Sequence, residues 1–500
     1  MEFIRNFPFF GIMLTMLAAI LSLPLKGKAA RRISVTVFAI EFILSTCILA
    51  YVSITRESFV YMMGHYPAPW GNELRAGVLE ALMAQFFSIV MLLSVLGGQH
   101  HIREDIEDSK QNLYFVMTDL LMGAFLALIY TNDIFTAYVF IEISTIAACG
   151  ILMIRQLGRT TLAALRYMIF SLLGSGLFLI GIVLLYDLTG HLLMEDMQTA
   201  IAIRFQTEHL MIPLTVSIGL ITLGLAIKSG LFPFHFWVPD TYGYSTPTSG
   251  SILSGLVSKG YIFILIKIYC RVIGWENMVH TGVANILFIF GLCGMIVGSV
   301  SAINQKEIRR MVAFSSAAQI GYIYMGIGLG TEAGLVAACF HILCHAVTKP
   351  LLFLSASGLV DASNGSVRFH DLQGSGYRNR WAGFAFAMGS LSMVGMPLFS
   401  GFISKILFST AAVQVSVGKM LPTLIVLAAS TVLNAVYFLR TVIRIYTKPA
   451  SDQLQGRRIV FREQRTFVLT MLAFVALNLV LGLLSTYITN GIQEGLLLFS

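Results

Sequence analysis

The feature that most constrains this chain is a recurrent run of about 20 apolar residues, the length a helix needs to cross the hydrocarbon of a bilayer. Fourteen such runs lie near 7–25, 33–54, 78–98, 113–131, 134–154, 162–186, 211–231, 247–270, 283–303, 311–330, 333–358, 383–407, 421–445 and 466–488. Lipid offers no partner to a free amide or carbonyl, so each run reads as a helix. The expected fold is an all-α polytopic membrane protein with about 14 transmembrane helices. Composition agrees, since charged residues are 12% of the chain, against roughly 25% in soluble domains. A soluble enzyme, a disordered scaffold and a disulfide-stapled secreted domain are all excluded. The six cysteines form no CxxC pair and signal no thiolate-held metal or cluster. The first run lacks a small-residue cleavage pattern and is retained as a span.

The net charge of +8 is segregated by loop instead of gathered in one patch, which favours membrane orientation over nucleic-acid binding. Odd-numbered loops and their flanks carry 22 Lys and Arg, the even side six, among them Arg75 and Arg271. The cationic side marks the cytoplasm, which places the chain in the cell (inner) membrane with both termini on the outer side.

Five lysines remain inside apolar runs: Lys228, Lys259, Lys267, Lys349 and Lys405. A charge at bilayer depth costs about 2.5–3.5 kcal/mol on insertion scales, so such residues persist where they face a hydrated interior and act there. Lysine gives up its proton when desolvated, whereas arginine does not. The set therefore reads as a proton relay. Lys267 is the exception, since it lies near a span end where its stem can reach the interface. Lys228 precedes the Gly/Pro interruption at Gly230 and Pro233, and Lys405 follows a similar one at Gly395 and Pro397. Two broken helices five spans apart imply an inverted repeat. The chain then divides into 1–110 (helices 1–3), 111–275 (first repeat, helices 4–8), 281–446 (inverted repeat, helices 9–13) and 464–500 (helix 14).

His341, His345 and Lys349 recur every four residues and share one helical stripe. With no Glu between the histidines, a zinc site is not supported, and imidazole suits proton passage between lysines. Glu142 lies mid-span and needs a partner, for which Lys228 is the natural candidate. Glu41, Glu80 and Asp119 read as interface or interhelix groups whose part in the relay stays open.

These pieces resemble the antiporter-like subunits shared by Mrp-type cation/proton antiporters, respiratory complex I and membrane-bound hydrogenases. The matching segments are DIFTAYVFIE at 133–142, ALRY at 164–167, IKSGLFPFHFWVPD at 227–240, TPTSGSILSGLVSKGY at 246–261, IRRMVAFSSAAQIGY at 308–322, His341 to Lys349, and Gly395 to Lys405. The resemblance implies that Glu142 is the acid of span five, Lys228 the lysine of span seven and Lys259 the bridging lysine of span eight. His345, with His341 and Lys349, is then the relay of span eleven and Lys405 the terminal lysine of span twelve. Some relatives carry Glu in that last place, so Lys405 makes the chain more similar to Mrp D-type and complex I N-type subunits. The wording around Glu142 leans to the Mrp and hydrogenase branch.

The expected function is proton translocation within a multisubunit complex, first as Mrp-type cation (sodium)/proton antiport. The alternative is a proton-pumping membrane-arm subunit of a complex I-like dehydrogenase or a hydrogenase. No cofactor or metal is expected in the chain, and partners are other membrane subunits and lipid, with protons and, as an open second ion, sodium. Two lesser readings are a quinone- or haem-binding redox subunit, which has only His100, His101 and the span-eleven His341 and His345 in its favour, and a solute transporter, which shares inverted repeats and broken helices.

Overall fold

Apolar periodicity becomes helix almost throughout. The computed structural model describes residues 2–67, 70–207, 211–448, 456, 458–459 and 464–499; Arg457 and Arg462 of the last odd loop lie outside them. In chain order the principal helices are α1 (Phe7–Ser22), α2 (Gly27–Thr55), α3 (Val78–Gly97), α4 (Gln111–Tyr130) and α5 (Ile134–Met153). There follow α6 (Gly158–Thr189), α7 (Met211–Ser229), α8 (Pro247–Ile273), α9 (Val283–Ile303) and α10 (Ile308–Gly328). The remainder are α11 (Glu332–Asp361), α12 (Arg380–Val394), α13 (Ser400–Val413), α14 (Val417–Tyr446) and α15 (Arg465–Leu483).

Local chemistry sets several starts. Asp133 accepts the Thr136 amide at 2.6 Å to begin α5, and Thr331 accepts the Gly334 amide at 3.1 Å to begin α11. Between α2 and α3 the chain forms a two-stranded antiparallel hairpin, Phe59–Met62 with Glu73–Ala76. That small sheet is a local addition to an all-α architecture.

Among the described residues, twelve helical stretches are long and apolar enough to cross a membrane, which makes this an integral multi-pass membrane protein. Two of the fourteen apolar runs fall outside the twelve for physical reasons. Residues 311–330 coincide with α10, whose Ser, Gln, Tyr and Gly content suits a helix surrounded by protein. The run at 383–407 is split between α12 and α13.

The helices form a layered bundle. α6 and α14 present Leu172, Val183, Ile425 and Val432 outward as a lipid-type surface. α8 is buried along its whole apolar stretch and α11 nearly so. Within α8, residues Leu253–Val257 and Tyr269–Ile273 are π-helical and flank an α-helical segment, Ser258–Ile268, that carries Lys259 and Lys267. Such wider turns recur at functional places in helices.

Candidate functional site

The site begins where α6 and α7 touch. A Cβ on Gly174 would stand 2.6 Å from the Gly224 carbonyl and 3.0 Å from Lys228 Cγ, so only glycine allows this approach. The closeness sets Lys228, with no exposed side-chain area, against α5. Its Nζ donates to Thr145 Oγ1 at 2.7 Å and lies 3.6 Å from Glu142 Oε1. Glu142 and Thr145 are three residues apart and so share one face of α5. Ser175 Oγ donates to the same carboxylate oxygen. Glu142 keeps 24% of its side-chain surface, which leaves the acid reachable from outside while the amine is sealed. α7 ends at Ser229, Gly230 takes φ +78°, and Phe232-Pro233 is cis. Trp237 Nε1 donates to the Ile227 carbonyl at 3.2 Å, which holds the chain beyond the break.

Lys259 and Lys349 meet across α10. Lys259 Nζ donates to the Ser254 carbonyl, in the π-helical turn of its own helix. Ser254 Oγ lies 2.9 Å from Ser316 Oγ. The neighbouring Ser315 Oγ accepts from Lys349 Nζ, which also donates to the Val312 carbonyl at 3.2 Å. Lys228 approaches the same region, with Nζ 5.4 Å from the centroid of Tyr261, two residues beyond Lys259. Ser254, Ser315 and Ser316 were missed in the sequence, although all three stand inside the segments quoted for the family resemblance.

His345 and His341 stack with centroids 6.1 Å apart and planes 7° from parallel. Among the described residues neither ring nitrogen of His345 has a hydrogen-bond partner. His341 Nδ1 lies 2.7 Å from Ser404 Oγ. Ser404 adjoins Lys405, so α11 connects to the second broken helix.

Lys405 is half-buried. Its amine donates to the Val394 carbonyl at 2.6 Å and the Met393 carbonyl at 3.3 Å, two groups that α12 leaves unused as it stops. The stop is enforced at Gly395, where φ is +92° and a Cβ would stand 3.0 Å from Lys405 Cδ. A cavity of about 450 Å³ between α13 and α14 reaches Lys405. Asn478 of α15 braces the break around Pro397, accepting from Ser392 at 2.8 Å and Ser400 at 2.9 Å while donating to Thr348 at 2.6 Å.

Lys267 corrects the sequence reading. It does not reach an interface but is fully buried, donating to the carbonyls of Ile129 at 2.7 Å and Thr131 at 2.6 Å, with Glu80 at 3.9 Å. The end of α4 leaves those carbonyls free inside the protein, and the ammonium satisfies them. Arg75 and Arg271, counted as loop cations, are likewise buried. Arg75 pairs with Glu80 at 3.1 Å and Arg271 donates to Asn132. Glu80 is thus the centre of a second ionic cluster. Asp119 accepts from Ser34 at 2.8 Å, and Glu41 is buried against Gly11; neither forms an ion pair within 4.0 Å among the described residues. His101 lies 3.0 Å from Asp361 and His100 3.3 Å from Glu104, and the described residues hold no group of three metal-ligating side chains.

The sequence model of the NADH:quinone oxidoreductase/Mrp antiporter transmembrane family matches residues 131–433, a segment that spans Glu142 to Lys405. The chain belongs to this family. Within it, the chain is 31% identical over 404 residues to the N-type subunit of the NADH-quinone oxidoreductase of Desulforudis audaxviator, covering 80% of this chain and 78% of that one. It is 27% identical over 378 residues to the D-type subunit of the Na(+)/H(+) antiporter of Alkalihalophilus pseudofirmus, covering 75% and 74%. In fold it is similar to a chain of the Mrp complex from Dietzia sp., with a TM-score of 0.86 at 21% identity over 99% of this chain and 97% of that one.

Proposed function

We propose that this chain is the proton-translocating subunit of a multisubunit membrane complex and moves protons through Glu142, Lys228, Lys259, His345 with His341 and Lys349, and Lys405. The observation that carries this reading is the buried Lys228 amine 3.6 Å from a carboxylate, opening a series of amines and imidazoles inside the bundle. Glu142 favours charge on Lys228, and charge there disfavours charge on the next cation, so occupancy of one position is transmitted to its neighbour. The protein catalyses no bond chemistry in this reading, and its driving energy comes from an ion gradient or a redox partner.

Mrp-type cation/proton antiport is the first form, in keeping with the antiporter relative. The oxidoreductase relative favours the second, a membrane-arm subunit of a redox-driven complex. The cytoplasm lies on the side of the cationic loops, both termini face outward, and the membrane is the inner cell membrane. Residues 111–275 and 281–446 form the inverted pair, each with its broken helix, flanked by 1–110 and 464–500.

The test is gradient formation by the intact complex in vesicles, with and without sodium, comparing Glu142→Ala and Lys228→Ala with wild type. Both variants are expected to lose proton movement while the complex still assembles. Undiminished movement in both would end the relay proposal, and a sodium requirement selects antiport over redox-driven pumping.

A further inference from the structure

At the end of the bundle that bears the cationic loops, a pocket of about 720 Å³ opens between the α9–α10 turn, the 368–370 segment and the last turns of α14. Its walls are built. The Ile308 amide donates to the Val367 carbonyl at 3.0 Å, the Phe369 amide to the Lys306 carbonyl at 3.1 Å, and Arg444 lies over the Phe369 ring at 5.7 Å. Lys306, Arg368, Arg440 and Arg444 line it, against the single carboxylate of Glu307. Among the described residues none of the four cations forms an ion pair within 4.0 Å. Like charges held around one cavity repel, and an anion placed among them removes that cost. The planar guanidinium fork suits a phosphate group in particular.

A second observation bears on what carries the phosphate. Val436, Arg440 and Arg444 follow one another at four-residue spacing, so the pocket wall continues directly onto the membrane-facing surface of α14. There Val432, Val436, Leu439 and Ile443 form an exposed apolar stripe that runs beside the arginines and continues past them along the helix at Val436 and Val432. Cationic pocket and apolar stripe together have the form of an amphiphile, with head and tail in the order that a bilayer imposes. Basic pockets between transmembrane helices at the cytoplasmic face hold anionic head groups in just this position.

We propose that this pocket binds the phosphate-bearing head group of an anionic phospholipid, whose acyl chains lie along the exposed stripe of α14. The site is separate from the proton relay, and its occupancy can be measured without transport. The test is lipid binding to the purified intact complex in detergent, using dioleoylphosphatidylglycerol, dioleoylphosphatidylcholine and inorganic phosphate as separate probes, read by native mass spectrometry and thermal shift. Phosphatidylglycerol is expected to bind and stabilise, with at least about tenfold weaker binding in Arg440→Gln/Arg444→Gln and a smaller loss in Arg440→Lys/Arg444→Lys. The paired lysine variant keeps charge and guards against a folding defect. Equal binding of the neutral lipid, or binding unchanged in the glutamine variant, would overturn the proposal. Inorganic phosphate matching the lipid's effect would assign the pocket to a free anion and also overturn it. Loss of a neighbouring subunit from the glutamine variant with lipid binding intact would show that this face is a protein contact.

Discussion

Lys228 and Lys405 occupy similar places beside broken helices, yet their amines are held by different kinds of oxygen. Lys228 rests on side chains, the Thr145 hydroxyl and the Glu142 carboxylate, and has no exposed surface. Lys405 rests on the Val394 and Met393 carbonyls, has no carboxylate within 4.0 Å among the described residues, and borders a cavity. A carboxylate can rotate away and remove a full charge, while a carbonyl pinned by the backbone cannot. In the proposed relay, Lys228 therefore has a partner whose charge can be withdrawn, and Lys405 has none.

The comparison can be broken at several points. The largest effect is expected from Glu142→Gln, which keeps the shape of the side chain and removes its charge. Proton movement by the intact complex should fall by about tenfold or more, because Lys228 loses the carboxylate 3.6 Å from its amine. Lys405→Met should reduce movement to a similar extent and, with no carboxylate to strand but two α12 carbonyls left without their donor, should lower stability by only about 1–3 kcal/mol. If Lys405→Met destabilises the complex as much as Arg75→Ala, which leaves the buried Glu80 carboxylate with Lys267 at 3.9 Å as its remaining cation among the described residues, the contrast fails.

A middle-sized effect is expected where glycine allows close approach. Gly174→Leu should overpack the α6–α7 contact by about 1–3 kcal/mol and displace Lys228, seen as a lower melting temperature with reduced transport. The smallest effect is expected from Asn478→Ala, which removes the brace around Pro397. A loss of about 1 kcal/mol in stability, measured by thermal unfolding in detergent, would fit the net worth of those hydrogen bonds.

Much of this arrangement was legible beforehand. Spans could be read because apolar runs of membrane length have few other solutions, and lysines at bilayer depth stood out against them. The Glu142–Lys228 pair was anticipated because an acid in mid-span requires a partner, and the structure places them 3.6 Å apart. Lys267 was misread because position along a helix does not reveal which neighbour's carbonyls surround its tip. Ser254, Ser315, Ser316 and Asn478 were passed over for a related reason. Small hydroxyls and amides are common in membrane helices, and only packing shows which of them join two cations or span a break. The limit at 383–407 was different, since hydropathy averages across an interruption and cannot tell one kinked helix from two short ones.

Lys259, Lys267, Lys349 and Lys405 share a trait that bears on how this protein can change over generations, for each donates to at least one main-chain oxygen. Every amino acid supplies that oxygen, so positions such as 393 and 394 are free to drift in identity while still serving the amine. A search for co-varying partners of Lys259 and Lys405, whose hydrogen bonds among the described residues go to main-chain oxygens, should come back nearly empty. The imprint of selection should fall instead on whatever bends the chain, Gly395 foremost.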